Sequence, residues 1–432
     1  MRISIYTLGC KVNQYETQAM ETILTERGHT LVPAEEAADA CIINTCTVTA
    51  VSDKKSRQMI RRLKRQNPSA VIAVCGCYAQ TKPEEIAALG VDLVAGTAGR
   101  IAFLDRLEEI SRTRQREVLV DSAFEARHFE QLPAGGMAGR TRAMLKVEDG
   151  CANFCTYCII PYARGRVRSL PPERAEAEAR RLAAQGCQEL VITGIEISSW
   201  GQDLPGRPGL IELIEAVSKA APGLRIRLGS LEPRTITPEF ARRAAALGNL
   251  CPHFHLSLQS GCDETLKRMN RRYDTARYLD SCTWLREAFD RPAITTDLIT
   301  GFPGETEAEF SATLDFIRQV NFASMHIFPY SRRTGTRAAE MTPQVPKDVK
   351  EERARRAAEA AAEMKEAWLR QHLGAELEVL FEDEKDGLWR GHTANYMLVL
   401  AEGEDLHNRR RMVRMERLQD GGLFGTVMAG KD

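Results

Sequence analysis

The sequence has no surplus of charge. Its 59 Lys and Arg balance 59 Asp and Glu, for a formal net charge of +0 over 432 residues. A globally basic surface is thereby excluded, so any nucleic-acid role must rest on local patches. Nor is there an apolar run near the ~20 residues needed to cross a bilayer, and no membrane partner is expected. Met1-Arg2-Ile3-Ser4-Ile5-Tyr6 lacks the pattern of a secretory leader and reads as a strand. What the chain does have is cysteine, 12 in all. In a long chain without export signals they argue for metal ligation in a reducing cytoplasm, not for a disulfide scaffold. Composition is otherwise ordinary, and the length allows about three domains.

Three of the cysteines stand together in Cys151-Ala152-Asn153-Phe154-Cys155-Thr156-Tyr157-Cys158, spaced C-x3-C-x2-C, with no further Cys or His at ligand distance. Thiolates select iron–sulfur clusters, zinc or copper(I). A closed zinc site wants four protein ligands. Three on one short loop suit a cubane cluster whose fourth iron stays open to a small molecule. A zinc knuckle completed from elsewhere and three buried thiols are the alternatives. Clustering disfavours the second, and the missing partner pair the first. The spacing resembles the signature of the radical S-adenosylmethionine (SAM) enzymes.

Before this loop, strands alternate with helices, which predicts a parallel, doubly wound sheet. The strands are Arg2 to Thr7, Ala40 to Asn44, Ala70 to Val74 and Val91 to Ala95, with helices from Asn13 to Arg27, from near Ser52, and from Pro83. In such sheets ligands gather beyond the carboxyl ends of the strands. Cys10, Cys46 and Cys77 each follow a strand end, a second set of three thiols. Cys75 competes with Cys77 but falls within or at the end of its strand, and Cys41 opens one. Free cysteine is also a common core residue, and the residues alone leave both readings open. The helix Ser52 to Gln66 carries seven Lys and Arg, either a solvated face or a phosphate rail.

Residues 122 to 142 read as a linker. Beyond it, six strands are expected at Met144 to Val147, Glu189 to Thr193, Arg225 to Leu228, His253 to Leu258, Ile294 to Ile299 and Ser324 to Phe328. Six strand–helix units are too few for a closed eightfold barrel and fit a partial (β/α)6 barrel, whose active groups lie at the carboxyl ends of the strands. Those ends supply Gly194, Glu196, Ser230, Glu232, Gln259 and Asp297, with Arg272 nearby: groups suited to an amine, a carboxylate, a ribose and an adenine. Any one of them alone is as readily a turn or cap residue. Arg164, Arg166 and Arg168 follow the cysteine loop and suit phosphates or surface ion pairs.

After a helix from Ala360 to Leu373, short strands at Glu378 to Phe381, Thr393 to Leu400 and Arg411 to Val413 predict a small antiparallel barrel. Arg409, Arg410, Arg411, Arg414 and Arg417 form a basic stripe near Trp389 and Tyr396. That suits RNA, or a plain structural cap.

Thr7-Leu8-Gly9-Cys10-Lys11-Val12-Asn13-Gln14, Asn44-Thr45-Cys46-Thr47-Val48-Thr49, Cys75-Gly76-Cys77-Tyr78-Ala79-Gln80 and Asp149 through Pro161 together resemble the radical SAM methylthiotransferases over nearly the whole chain. The resemblance implies an N-terminal cluster domain (1–118), a radical SAM core (137–365) and a C-terminal TRAM domain (366–432). It implies two 4Fe–4S clusters, one on Cys151, Cys155 and Cys158 that binds SAM, and an auxiliary one on Cys10, Cys46 and Cys77. The first stretch is most similar to the branch that acts on N6-threonylcarbamoyladenosine in tRNA, at adenine position 37 beside the anticodon. Sister branches act on isopentenyladenosine or on an aspartate of a ribosomal protein. The implied reaction is SAM cleavage to a 5′-deoxyadenosyl radical, hydrogen abstraction from C2 of the adenine, and methylthio transfer to that carbon. A flavodoxin- or ferredoxin-like electron donor and a sulfur source are implied partners. Ala152 departs from the polar residue usual in that branch, at a position that is not a ligand.

Overall fold

The computed structural model describes residues 1–135 and 141–428. Gly136, Gly139 and the expected boundary at 137 lie outside the described residues.

The first sheet is β1 (Arg2–Thr7), β2 (Thr30–Val32), β3 (Ala40–Thr45), β4 (Val71–Gly76), β5 (Leu93–Ala95) and β6 (Glu117–Leu119), in the order β2-β1-β3-β4-β5-β6. Every pair is parallel. β3 and β4 are buried throughout because helices cover both faces. Ile42, Val71 and Ala73 pack with Met20, Leu24 and Phe103 on one side, and Cys41, Ile43 and Val74 with Ile60 and Leu63 on the other. Three helices frame the carboxyl edge: α1 (Lys11–Glu26), α2 (Ala50–Gln66) and α3 (Cys77–Thr81). The strand order reverses between β1 and β3, which opens a crevice at their carboxyl ends. β2 and β6 are short edge strands, too short to stand out in the sequence.

The stretch read as a linker is packed down. Leu132 and Ala134 are buried, Tyr15 donates to the Leu132 carbonyl at 2.6 Å, and the Glu130 carboxylate accepts from the backbone N–H groups of Gly99 and Arg100.

All six expected central strands form. β7 (Arg142–Asp149), β8 (Arg168–Ser169), β9 (Glu189–Gly194) and β10 (Arg225–Leu228) make one sheet, ordered β10-β9-β7-β8, with β8 antiparallel at its edge. β11 (Ser230–Leu231), β12 (His253–Leu256), β13 (Ala293–Thr300) and β14 (Ser324–Pro329) make a second, all parallel. A bridge from Ile226 to Leu250 joins the two into one curved wall. Its outer face is apolar: Leu145, Ile192, Ile226 and Phe254 pack under the helices. The alternate residues, including Lys146, Glu189, Arg227 and His253, share the inner face.

The helix before the last unit runs Lys347–Arg370, starting well before the expected Ala360. Beyond it β15 (Glu376–Lys385), β16 (Leu388–Thr393), β17 (Leu398–Ala401), β18 (Arg410–Gln419) and β19 (Gly422–Val427) close a barrel. The barrel is antiparallel except for the parallel pair β17–β19. The expected single strand Thr393 to Leu400 is broken at Tyr396, whose φ is +68°. The Thr393 hydroxyl caps that turn by accepting from the Met397 N–H at 2.9 Å.

Candidate active site

The crevice of the first sheet gathers three of its cysteines. Cys10 sits at the N-terminus of α1, Cys46 directly follows β3, and Cys77 opens α3 at the end of β4. Two glycines allow the approach. A Cβ on Gly9 (φ +120°) would stand 2.9 Å from Cys46 Cβ, and one on Gly76 (φ +98°) would stand 2.5 Å from the Thr45 carbonyl. Asn13 ties the loops by donating to the carbonyls of Leu8 and Thr45 at 2.8 and 3.0 Å. Cys75 and Cys41 lie inside strands and pack in the cores on the two faces of the sheet.

The second trio occupies the loop after β7. Cys151 donates its N–H to the Gly165 carbonyl, and Thr156 to that of Met269. Cys151, Cys155 and Cys158 are half-buried. Arg271 Nη1 stands 3.2 Å from Cys155 Sγ, its guanidinium over the Tyr273 ring at 4.8 Å.

A buried ion network separates the trios. Arg164 donates from Nε to Cys77 Sγ at 3.3 Å, from Nη2 to Asn13 Oδ1 at 2.9 Å, and from Nη1 to Glu16 at 2.5 Å. Its Nη1 also lies 3.4 Å from Asp149 Oδ2. Arg100 and Lys146 complete the set around Glu16, at 2.9 and 3.1 Å. Burial opposes charge on Glu16, but Arg164, Arg100 and Lys146 outweigh it and hold the carboxyl well below its ordinary range. Burial pushes the thiols of Cys77 and Cys158 up to about 12. Cys10 and Cys46 add to the effect on Cys77, and Cys155 and Cys77 to that on Cys158. Arg164 joins the two loops, touching Cys77 on one side and Asp149 on the other. From the core, Arg333 donates to Asp53 at 2.5 Å and to the Thr47 hydroxyl, fixing the Cys46 loop.

Soft donors in threes, each set with a guanidinium on one sulfur, fit iron–sulfur clusters: the thiolates bind iron and the cation offsets the surplus negative charge. Among the described residues, no three His, Cys, Asp or Glu side chains close around a single metal ion.

Of the groups expected at the strand ends, Glu196 is the one that acts on the Cys151 thiol, and Asp297 lies inside β13. Glu196 accepts from Ser198 N and Ser199 Oγ at 3.1 and 2.6 Å, and its own N–H donates to Glu148 at 2.7 Å. Gly194 is required there, since a Cβ would stand 2.8 Å from Glu148 Oε2. Burial raises both carboxyls. Glu232 pairs with Arg234 at 2.9 Å, and Ser230 is exposed beside it. Gln259 (φ +68°) exchanges backbone hydrogen bonds with β13 at Asp297 and Ile299. Asp297 faces His255 at 3.3 Å. Arg272 is exposed; its neighbour Arg271 is the one turned to the cysteine loop. Glu148 and Arg271 are groups that sequence reasoning missed.

Three arginines expected on RNA are corrected. Arg164 is fully buried, and Arg168 nearly so, its guanidinium donating to the Arg164 and Arg166 carbonyls. Neither can reach a phosphate. Arg410 docks the barrel on the core, donating to Gln188 Oε1 and the Gly223 carbonyl. Arg166, Arg409 and Arg414 are exposed and Arg411 is half-buried. Arg409 pairs with Asp405.

The Radical SAM superfamily profile matches residues 145–317, and that of Uncharacterized protein family UPF0004 matches residues 2–96. The Threonylcarbamoyladenosine tRNA methylthiotransferase MtaB of Bacillus subtilis is 41% identical over 97% of this chain and 94% of its own. The same-named protein of Aquifex aeolicus is 36% identical over 93% and 97%. The tRNA-2-methylthio-N(6)-dimethylallyladenosine synthase of Moorella thermoacetica is 36% identical over 99% and 98%. Among solved structures, the radical SAM methyltransferase TsrM of Kitasatospora setae superposes with a TM-score of 0.55 at 18% identity, over 76% of this chain and 72% of that one, a likeness of fold. With relatives this similar along its whole length, the chain belongs to the radical SAM tRNA methylthiotransferase family.

Proposed function

We propose that this enzyme methylthiolates C2 of N6-threonylcarbamoyladenosine at position 37 of tRNA, in the cytoplasm. The observation that carries the reading is the pair of three-cysteine sets meeting across Arg164. Cys151, Cys155 and Cys158 would hold a cluster that binds SAM, and Cys10, Cys46 and Cys77 an auxiliary cluster. When bound, the clusters supply the electron that cleaves SAM to a 5′-deoxyadenosyl radical and the site from which sulfur is delivered.

The protein's share is placement. The Arg164–Glu16–Asp149 network fixes the spacing of the two loops in a dry interior. Arg271 holds Cys155, and Arg333 holds the loop of Cys46. Glu196, Glu232, Ser230 and Asp297 offer acceptors to the amine and ribose of SAM. The crevice between the loops receives the adenine, which lies in a single-stranded loop of RNA and is free to be splayed out. Residues 366–432 act as the TRAM domain, with Arg409, Arg411 and Arg414 beside the RNA backbone, after the cluster domain (1–118) and core (137–365). A flavodoxin- or ferredoxin-like donor supplies electrons, and a separate sulfur source restores the sulfur.

A second reading keeps the chemistry and substitutes isopentenyladenosine, as the Moorella relative's name describes. Nucleoside mass spectrometry of tRNA from cells lacking the gene, beside the restored strain, separates the two. Loss and return of 2-methylthio-threonylcarbamoyladenosine is the expected result. An unchanged level of that nucleoside would move the substrate to the isopentenyl base or to the ribosomal protein.

A further inference from the structure

The inner face of the central wall concentrates positive charge at one place. Arg142, Arg225 and Arg227 crowd on the single carboxylate of Glu189, at 2.9, 2.5 and 2.7 Å. Glu382 is shared between Arg142 and His392, at 2.7 and 2.5 Å. The turn of the C-terminal barrel closes this end, because Arg227 donates to the carbonyls of Thr393 and Ala394. Tyr396 of that turn is stacked on His253 and His392, with ring centroids 4.9 and 4.7 Å away. The Arg227 and Arg142 guanidiniums lie 4.6 and 5.3 Å from the same ring. His253 is buried, and its Nδ1 has no hydrogen-bond partner.

Helix α1, whose first residue is Lys11, packs against β7 and β9, the strands that carry Arg142 and Glu189. Lys11 is the residue after Cys10, at the first turn of α1. Its ammonium feels Arg227, Arg142 and Glu189, and in turn acts on His253. Among the described residues its side chain forms no hydrogen bond or ion pair. Its side chain stays in contact with solvent, while the protein around it disfavours its charge, as at the mouth of a partly enclosed lumen. Four cations here face three carboxylates, Glu189, Glu382 and, 3.7 Å from Arg225, Glu378, and all three already have partners. A cation left unpaired beside other cations is costly, and an incoming anion relieves the cost.

We propose that this lumen is a carboxylate subsite, in which Lys11 pairs with the acid group on the N6 substituent of the target adenine. Tyr396 and His253 line the space that substituent enters. The proposal rests on the threonylcarbamoyl reading, whose substituent ends in a carboxylate. An isopentenyl group brings no charge and would leave Lys11 unpaired, so the same contact rejects it. Because Lys11 adjoins Cys10, the acid would be gripped one residue from the auxiliary trio, and C2 of the base would be held in register with it.

The test uses the full-length, cluster-loaded protein and anticodon stem-loops carrying threonylcarbamoyladenosine, its carboxamide analogue, or isopentenyladenosine. Binding and methylthiolation are measured for the parent and for Lys11→Met and Lys11→Arg, with iron content as the check that both clusters are present. The parent should prefer the acid over the carboxamide by about tenfold. Lys11→Met should lose that preference, and Lys11→Arg should keep most of it. A Lys11→Met protein with full iron and an undiminished preference would overturn the assignment of Lys11. Equal handling of acid and amide by the parent would overturn the subsite while leaving the substrate reading intact. Turnover of isopentenyladenosine alone would overturn both.

Discussion

Arg164 Nε lies 3.3 Å from the sulfur of Cys77, while Nη1 of the same guanidinium reaches Asp149, two residues before Cys151. One buried side chain thus touches a thiol of one trio and the strand end that presents the other. Arg164→Gln should remove a cation from among Glu16, Asp149 and Cys77, and should cost about 3–5 kcal/mol of stability. Urea unfolding measures this. Iron analysis should show selective loss at the N-terminal trio, and equal loss at both would count against the separation.

Cys155→Ala should abolish SAM cleavage, because two thiolates cannot cap the cluster that binds SAM. Retained cleavage would defeat that ligand assignment. Cys46→Ala should leave SAM cleavage measurable and stop methylthio insertion; normal product from it would remove Cys46 from the auxiliary set.

Arg410 and Arg414 should behave differently although the sequence places them on one stripe. Arg410→Ala loses two contacts to the core and should lower stability by about 1–2 kcal/mol. Its effect on the salt dependence of tRNA binding should be small. Arg414→Ala, at an exposed site, should leave stability unchanged and reduce the salt slope by about 0.7–0.9. A reversed pattern would place the RNA on the other face of the barrel.

Burial works against the charge on Glu189, but Arg227, Arg142 and Arg225 outweigh it and hold the carboxyl well below its usual range. A carboxyl depressed in the fold contributes stability that is complete above its unfolded pKa, about 4.3, and drains away as pH falls below it. Glu189→Gln should therefore cost about 3–5 kcal/mol near neutrality. The gap to the parent should narrow below pH ~4. Denaturant titrations at the two pH values check this, and a gap that stays constant would show that Glu189 is not the titrating group.

Local patterning along the chain was enough to place most of the elements. Apolar runs placed β3 and β4, and all six central strands appear where alternation and turn residues put them. The C-x3-C-x2-C loop and the three strand-end cysteines were legible because strand ends in parallel sheets converge. Cys75 was separable from Cys77 for the same reason: it falls inside its strand, whereas Cys77 begins the next helix. Which arginines are surface and which are structural emerges only from the folded chain. Arg164, Arg166 and Arg168 alternate in the sequence, yet the first and last are buried and only the middle one is exposed. A guanidinium's role depends on whether carboxylates such as Glu16 and Asp149 meet it in space, and Glu16 lies 148 residues away. Arg271 in place of Arg272 follows from the same fact. Charge pairing acts across folded distance, and no periodicity along the chain records it.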